Sequence, residues 1–160
     1  MFEINSMCYH YIEKPDIQVT FDIAEPDCRS RKGHLLTIKD NATQEELKRQ
    51  LANVGDVHTI LIGLKRDGGV WKWVTGENLL YNNWKEGEIC SNCDCAKLKL
   101  REGGVWESVP CQTADWFTAY VCQYAPVDGS NAAYNVHPVQ WSVLSLLSTL
   151  TAAVVLTLRH

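Results

Sequence analysis

Leu61-Ile62-Gly63-Leu64, Trp71-Lys72-Trp73, Asn82-Asn83-Trp84, Cys95-Ala96-Lys97-Leu98, Trp106-Glu107-Ser108-Val109-Pro110-Cys111 and Tyr120-Val121-Cys122 follow one another between residues 61 and 122. This stretch sets an Ile-Gly-Leu strand, a run of tryptophans and paired cysteines in one ordered series, and its reading decides the fold. The runs Thr59 to Leu64, Val70 to Val74, Ala96 to Leu100 and Thr118 to Tyr124 are short and either alternating or β-branched, so they are expected to be antiparallel strands. Asp67-Gly68-Gly69 and Glu102-Gly103-Gly104 supply turns between them.

Upstream, Thr43-Gln44-Glu45-Glu46 has the form of a capping box, in which the Thr43 hydroxyl accepts from the Glu46 amide and the Glu46 carboxylate reaches back. A helix of about ten residues is expected to follow, with Leu47, Leu51 and Val54 at helical spacing toward a core.

Composition agrees with a single small domain. The chain has 160 residues, of which 46% are hydrophobic and 9% aromatic, enough for one core. A net charge of -4 leaves no basic stripe to neutralise phosphates, which argues against nucleic acid as a partner. No glycine-rich nucleotide loop is present and no histidine is placed beside a plausible nucleophile, so an enzyme is not expected.

The seven cysteines point to an oxidising compartment, where disulfides supplement a modest core. Spacing alone leaves their connectivity open. Cys90-Ser91-Asn92-Cys93 can close as a local disulfide. The competing reading is a zinc site from Cys90, Cys93, Cys95 and a histidine such as His58, because two-residue spacing suits tetrahedral thiolate binding. An oxidising exterior favours disulfides over that site.

The ordered motifs resemble the C-type lectin-like domain family. The resemblance extends upstream to Cys8-Tyr9, Cys28 and Gly33-His34-Leu35-Leu36-Thr37-Ile38, and so covers residues 8 to 124. It implies a disulfide-bonded α+β fold with two helices, antiparallel sheets and a long loop region. It also implies the pairs Cys28 with Cys122 and Cys95 with Cys111. Cys8 is then left over, and long-form members of the family carry its partner further upstream. The first residues, Met1-Phe2-Glu3-Ile4-Asn5, lack the basic start and apolar run of a signal peptide, so either upstream sequence is missing or secretion is not achieved in this way. Pro26 falls where the family has the interior of its first helix. Because proline removes a donor and clashes with the preceding turn, that helix is expected to be short, kinked or to begin at Pro26.

Sugar-binding members of this family hold calcium in the loop after Trp84, through a Glu-Pro-Asn or Gln-Pro-Asp triplet, a Glu near the inner cysteine and an Asn-Asp pair. Carried over residue by residue, the triplet becomes Glu88-Ile89-Cys90, the single Glu becomes Cys93, and the Asn-Asp pair becomes Glu107-Ser108. Sulfur is too soft for calcium and serine is a poor neutral ligand. Only Glu88 and Glu107 remain as candidate ligands, and no cofactor is expected, calcium included. The cluster Glu86, Glu88, Asp94 and Glu107 reads first as a solvated acidic loop and second as a weak cation site or a surface for a basic partner. Trp71, Trp73, Trp84 and Trp106 read first as core and loop braces, while Trp116 and Phe117 can form an exposed recognition patch.

These residues lead to a binding module for a carbohydrate or an extracellular protein, with no calcium bridge. Its surface is expected on the loop from Trp84 to Cys95 and the segment from Trp106 to Trp116, with Trp84, Glu86, Glu88, Asp94, Glu107 and Trp116 as ligand-binding candidates. A calcium-dependent carbohydrate-binding lectin with an atypical site is the alternative, and a purely structural adhesive protein a third reading.

Past Tyr124 the composition changes. Residues 125 to 141 read as linker and spacer, and residues 142 to 160 as a hydrophobic tail in which Ser142 to Leu158 carries no charge. A membrane span needs about twenty apolar residues and a basic stop, and an amphipathic segment is a further reading. A glycosylphosphatidylinositol attachment signal fits better. Asn131-Ala132-Ala133 supplies small residues, with Asn131 as the attachment site and Gly129 or Ser130 as alternatives. The expected location is the extracellular side of the plasma membrane, held by this C-terminal anchor, with secretion as the alternative. Asn41-Ala42-Thr43 is a glycosylation sequon placed ahead of the second helix.

Overall fold

The computed structural model describes residues 1–54, 58–87, 89–113 and 118–126, and residues Met1 to Pro126 form one compact unit. The chain begins as a hairpin, β1 (Phe2–Ile4) with β2 (Met7–Ile12), so the unit starts upstream of residue 8. Helix α1 (Phe21–Ser30), strand β3 (His34–Leu35) and helix α2 (Asn41–Leu51) follow. The remaining strands are β4 (Thr59–Asp67), β5 (Val70–Trp73), β6 (Cys95–Lys99), β7 (Val105–Val109) and β8 (Thr118–Tyr124).

One sheet takes all eight strands in the order β1-β2-β8-β4-β6-β7, with β3 added to β8 and β5 to β4. The pairings are antiparallel except one: β4 and β8 run parallel, from Thr59 opposite Thr118 to Leu61 opposite Tyr120. This corrects the all-antiparallel expectation. The hairpin turns of residues 67–69 and 102–104 reverse the chain locally, but β4 and β8 are joined through three intervening strands, and such a crossover permits a parallel pair.

Period-two alternation divides the core between the two faces of the sheet. Ile60, Ile62 and Leu64 of β4 face Leu47 and Leu51 of α2, with Ala96, Leu98, Trp73 and Trp106. Leu61 faces the other way, toward Phe21, Ala24 and Cys28 of α1, with Tyr120, Cys95 and Cys111. Gly63 is needed where β4 passes β3, because a Cβ there would lie 2.8 Å from the Leu35 carbonyl oxygen and 2.8 Å from a Val74 methyl.

Helix α1 keeps Pro26 inside it, and helix α2 starts earlier than its sequence expectation. Helix α1 begins at Phe21 and runs through Pro26, whose missing N–H leaves one intrahelical bond unmade. Burial of Phe21, Ala24 and Cys28 against the sheet favours the full helix over a start at Pro26. Helix α2 begins at Asn41, and its cap is Asp40 in place of Thr43: the Asp40 carboxylate accepts from the Thr43 amide at 2.7 Å and from the Thr43 hydroxyl at 3.1 Å. An aspartate three residues upstream, just before the first helical residue, outcompetes the internal box. Glu46, freed from capping, takes hydrogen bonds from Arg49 and Gln50 that hold its carboxyl down to about 2.

Three disulfides are present: Cys28–Cys122, Cys95–Cys111 and Cys90–Cys93. The first fastens α1 to β8 with its Cα atoms 5.2 Å apart. Beside it, the Tyr120 hydroxyl donates to Asp27 Oδ2 at 2.7 Å. Burial alone pushes the Asp27 carboxyl up, but hydrogen bonds from Arg31 and Tyr120, with the charges of Arg31 and Lys14, hold it below its ordinary range.

Two outcomes are expected. Replacing both Cys28 and Cys122 by serine should cost about 4.7 kcal/mol, against about 3 kcal/mol for the Cys95–Cys111 pair, because it closes the longer loop. Denaturant unfolding measures both, and a reversed order would refute the loop argument. The Asp27 contribution is fully present above the unfolded carboxyl pKa of about 3.9 and is lost as pH falls through the lower folded value. Asp27→Asn should therefore shrink the stability difference between neutral and acidic urea melts.

Candidate functional site

The loop after β5 is held to the domain by one buried tryptophan. Trp106 of β7 is 0% exposed. Its indole N–H donates to Gln44 Oε1 at 2.9 Å, and the Gln44 amide in turn donates to the Gly104 carbonyl at 2.9 Å. Asn83 Nδ2 donates to the same carbonyl at 2.9 Å. Gly104 has φ +82°, and a Cβ there would come within 2.6 Å of the Lys48 side chain, so the hairpin can approach α2 this closely only through glycine.

Around Trp106 the aromatic rings interlock edge to face. Trp73, Tyr81 and Trp84 meet it with centroids 5.7, 5.8 and 5.6 Å away. The main chain repeats the contact: the Trp106 amide donates to the Asn83 carbonyl at 2.8 Å, and the Lys85 amide donates to the Trp106 carbonyl at 2.9 Å. Trp73 and Trp106 are core residues, while Trp71 and Trp84 are half-buried and lie 5.0 Å apart between centroids. A groove of about 300 Å³ opens beside this brace, lined by Trp84, Lys85, Glu86, Gly87 and Ile89. Ile89 is 49% exposed, an apolar side chain offered to solvent at the groove edge.

Two of the acidic candidates, Glu107 and Asp94, are engaged by different cationic side chains. Glu107 on β7 accepts from Lys99 Nζ at 3.2 Å, and Lys99 also pairs with Glu102 at 3.0 Å. These carboxylates raise the Lys99 ammonium pKa, the hydrogen bond to Glu102 contributing most. Asp94 accepts from Arg66 Nε at 2.9 Å. The Arg66 guanidinium reaches on to the carbonyls of Ser91 at 2.5 Å and Cys90 at 3.4 Å, and lies 5.5 Å from the Trp71 ring centroid. The Ser108 hydroxyl oxygen accepts from the Cys90 amide at 2.9 Å. Glu86 is exposed in the turn that leads into the groove. Glu88 and Trp116 lie outside the described residues, as does Asn131.

The zinc reading fails on chemistry. Cys90 and Cys93 are joined to each other and Cys95 to Cys111, so none of the three is a thiolate ligand. Among the described residues no group of three or more histidine, cysteine or carboxylate side chains could hold a metal ion. Asn41, the sequon asparagine, is exposed in the first turn of α2 and its side-chain oxygen accepts from the Tyr81 hydroxyl at 3.4 Å.

Arg66, Lys99 and Gln44 organise this region, and sequence reasoning missed all three. Gln44 is a polar residue in a polar helical turn, with no pattern to mark its burial. Lys99 was within reach of a register argument: counting back across the Gly103-Gly104 turn places it on the strand beside Glu107. Arg66 had no signal, because its partners arrive from a loop far along the chain.

A mixed sheet with two helices, two long-range disulfides and a tryptophan-braced loop defines a disulfide-bonded α+β binding fold. The Lectin C-type domain family matches residues 17–124, and the chain belongs to that family. It is 28% identical over 130 residues to the human versican core protein, covering 78% of this chain and 4% of versican. It is 27% identical over 114 residues to the type-2 ice-structuring protein of Brachyopsis segaliensis, covering 68% of this chain and 62% of that protein. The chain thus spans a small part of versican and less than two thirds of the ice-structuring protein. Among solved structures, the human scavenger receptor C-type lectin carbohydrate-recognition domain superposes with a TM-score of 0.64 at 25% identity, covering 78% of this chain and 95% of that one.

Gln44→Leu tests the brace. It leaves the Trp106 N–H buried without its acceptor, and the expected loss is about 1 to 3 kcal/mol in thermal or denaturant unfolding. An unchanged stability would show that the indole bond does not hold the loop.

Proposed function

We propose that this domain is an extracellular binding module that takes a glycan or a protein ligand without a calcium bridge, through the surface around Trp84 and the groove beside it. The observation that carries this reading is the fate of the residues at the family's calcium-ligand positions. Glu107 is engaged by the Lys99 ammonium, Ser108 by the Cys90 amide, and Cys93 by its disulfide. Neighbouring Asp94 is engaged by Arg66. Calcium needs six to eight oxygen ligands. The pairing of Lys99 with Glu107 and of Arg66 with Asp94 supports the calcium-free reading.

Recognition then rests on an apolar and aromatic face with a polar rim. Trp84 and Ile89 offer surface that stacks or packs, with Glu86 and with Lys85, which is ion-paired to Glu102 at 2.9 Å, at its margin. The carbohydrate-recognition domain among the structural relatives supports a glycan. A binding role, and not an enzymatic one, follows the family.

A lipid anchor at Asn131 belongs to the same proposal. The anchor reading rests on the small residues, spacer and uncharged stretch of the sequence. Among the described residues no helix is long and apolar enough to cross a membrane.

On a glycan array, binding is expected to persist when calcium is replaced by chelator, and Trp84→Ala should weaken it about tenfold or more. Loss of binding in chelator would favour the calcium-dependent lectin instead. A folded domain that binds no glycan would direct the reading to protein ligands. Phosphatidylinositol-specific phospholipase C should release the full-length protein from cells that display it, and retention on the membrane would sink the lipid-anchor reading.

A further inference from the structure

The three disulfides differ in where they sit. Cys28, Cys122 and Cys95 are 0% exposed and Cys111 is 9% exposed, so attack on either core bond requires the domain to open. Cys90 is an exposed residue, while its partner Cys93 is 5% exposed. The Cys90–Cys93 bond also spans a sequence separation of 3, against 94 and 16 for the others. A bond that closes so short a ring removes least freedom from the unfolded chain, so its loss is the least costly to the fold.

The same ring lies under the candidate surface. The Cys90 amide donates to Ser108 Oγ at 2.9 Å, and the Cys93 amide turns back on the Cys90 carbonyl at 3.5 Å. The ring sets the carbonyls of Cys90 and Ser91 together, and both accept from Arg66. Ile89, at the groove edge, is the residue before the ring. Whatever opens the ring therefore loosens the hold of Arg66 and Ser108 on the segment that carries Ile89.

We propose that Cys90–Cys93 is a thiol-exchange site, opened by an external dithiol, that regulates the surface beside Trp84. The attacking thiolate bonds to the sulfur of Cys90, the exposed residue of the pair, and the Cys90–Cys93 bond breaks with its electron pair leaving on Cys93, which takes up a proton. The second thiol of the reductant then attacks its own sulfur in the mixed disulfide. Cys90 leaves as a thiolate and takes up a proton, and the dithiol is oxidised to its cyclic disulfide. Two cysteines are reduced and one dithiol is oxidised. The exchange chemistry stands on accessibility alone. Its effect on recognition rests on the proposed function.

Differential alkylation of the full chain tests the chemistry. The free thiol of Cys8 is capped first, the protein is titrated with dithiothreitol, and newly exposed thiols receive an isotopically heavy label read by mass spectrometry. Cys90 and Cys93 are expected to take the label at about tenfold lower dithiothreitol than the other four cysteines. Labelling of all three pairs over one range, or of Cys90 and Cys93 last, would overturn the proposal. The paired variant C90S/C93S tests the structural consequence by hydrogen exchange. Amides in residues 89–93 should exchange about tenfold faster, with β4 and β8 unchanged. An unchanged loop would sink the regulatory part, and so would a rise throughout the domain, since the bond would then be a structural one. Glycan binding that survives chelator but is indifferent to reduction would sink this proposal and leave the calcium-free reading standing.

Discussion

The hydrogen bond from the Trp106 indole to Gln44, 2.9 Å long and buried, ties together the parts of this domain that local forces leave separate. Gln44 belongs to α2, Trp106 to β7, and the Gly104 carbonyl that completes the set belongs to the turn before β7. A buried polar group without a partner costs more than the bond itself contributes. The arrangement is therefore specified: α2 must present an amide, the hairpin must come within reach, and residue 104 must be glycine. Once Trp106 is placed, Trp73, Tyr81 and Trp84 pack around it and the loop after β5 acquires a fixed path.

Electrostatics then decides what that loop can do. A loop rich in carboxylates and open to solvent would be ready for a divalent cation. Here Lys99 and Arg66 reach the carboxylates from β6 and β4, two strands of the rigid sheet. Ion pairs at a surface contribute little stability. Under the proposed calcium-free reading their consequence is one of occupancy, because a cation would have to displace the Lys99 ammonium or the Arg66 guanidinium. Arg66 does more than neutralise Asp94. Its fork collects two carbonyls of the Cys90–Cys93 ring, so one side chain couples the hairpin, the loop and the local disulfide.

Much of this was legible in the chain. The Ile-Gly-Leu strand, the Gly-Gly turns and the regular apolar positions of α2 are local signals, and local signals survive tertiary packing when every level agrees. The family motifs implied the two long-range disulfides that the structure contains. Where local signals competed, sequence reasoning chose wrongly. Thr43 and Asp40 both qualify as caps, and the one at the true start of the helix prevailed. Pro26 left open a short, kinked or late-starting α1, and the burial of Phe21 and Ala24 favoured the start at Phe21 over the late one. Short strands such as β1, β3 and β7 are two to five residues long and carry no periodicity that stands out from loop.

By itself, then, the sequence determined the family and the α+β class, because those follow from residue identity and spacing. Only the tertiary structure decided that β4 and β8 run parallel, that Gln44 receives the Trp106 indole, and that Arg66 holds Asp94. Each of these joins residues far apart in the chain, and contacts of that kind are set by how the elements pack, a quantity no local pattern encodes.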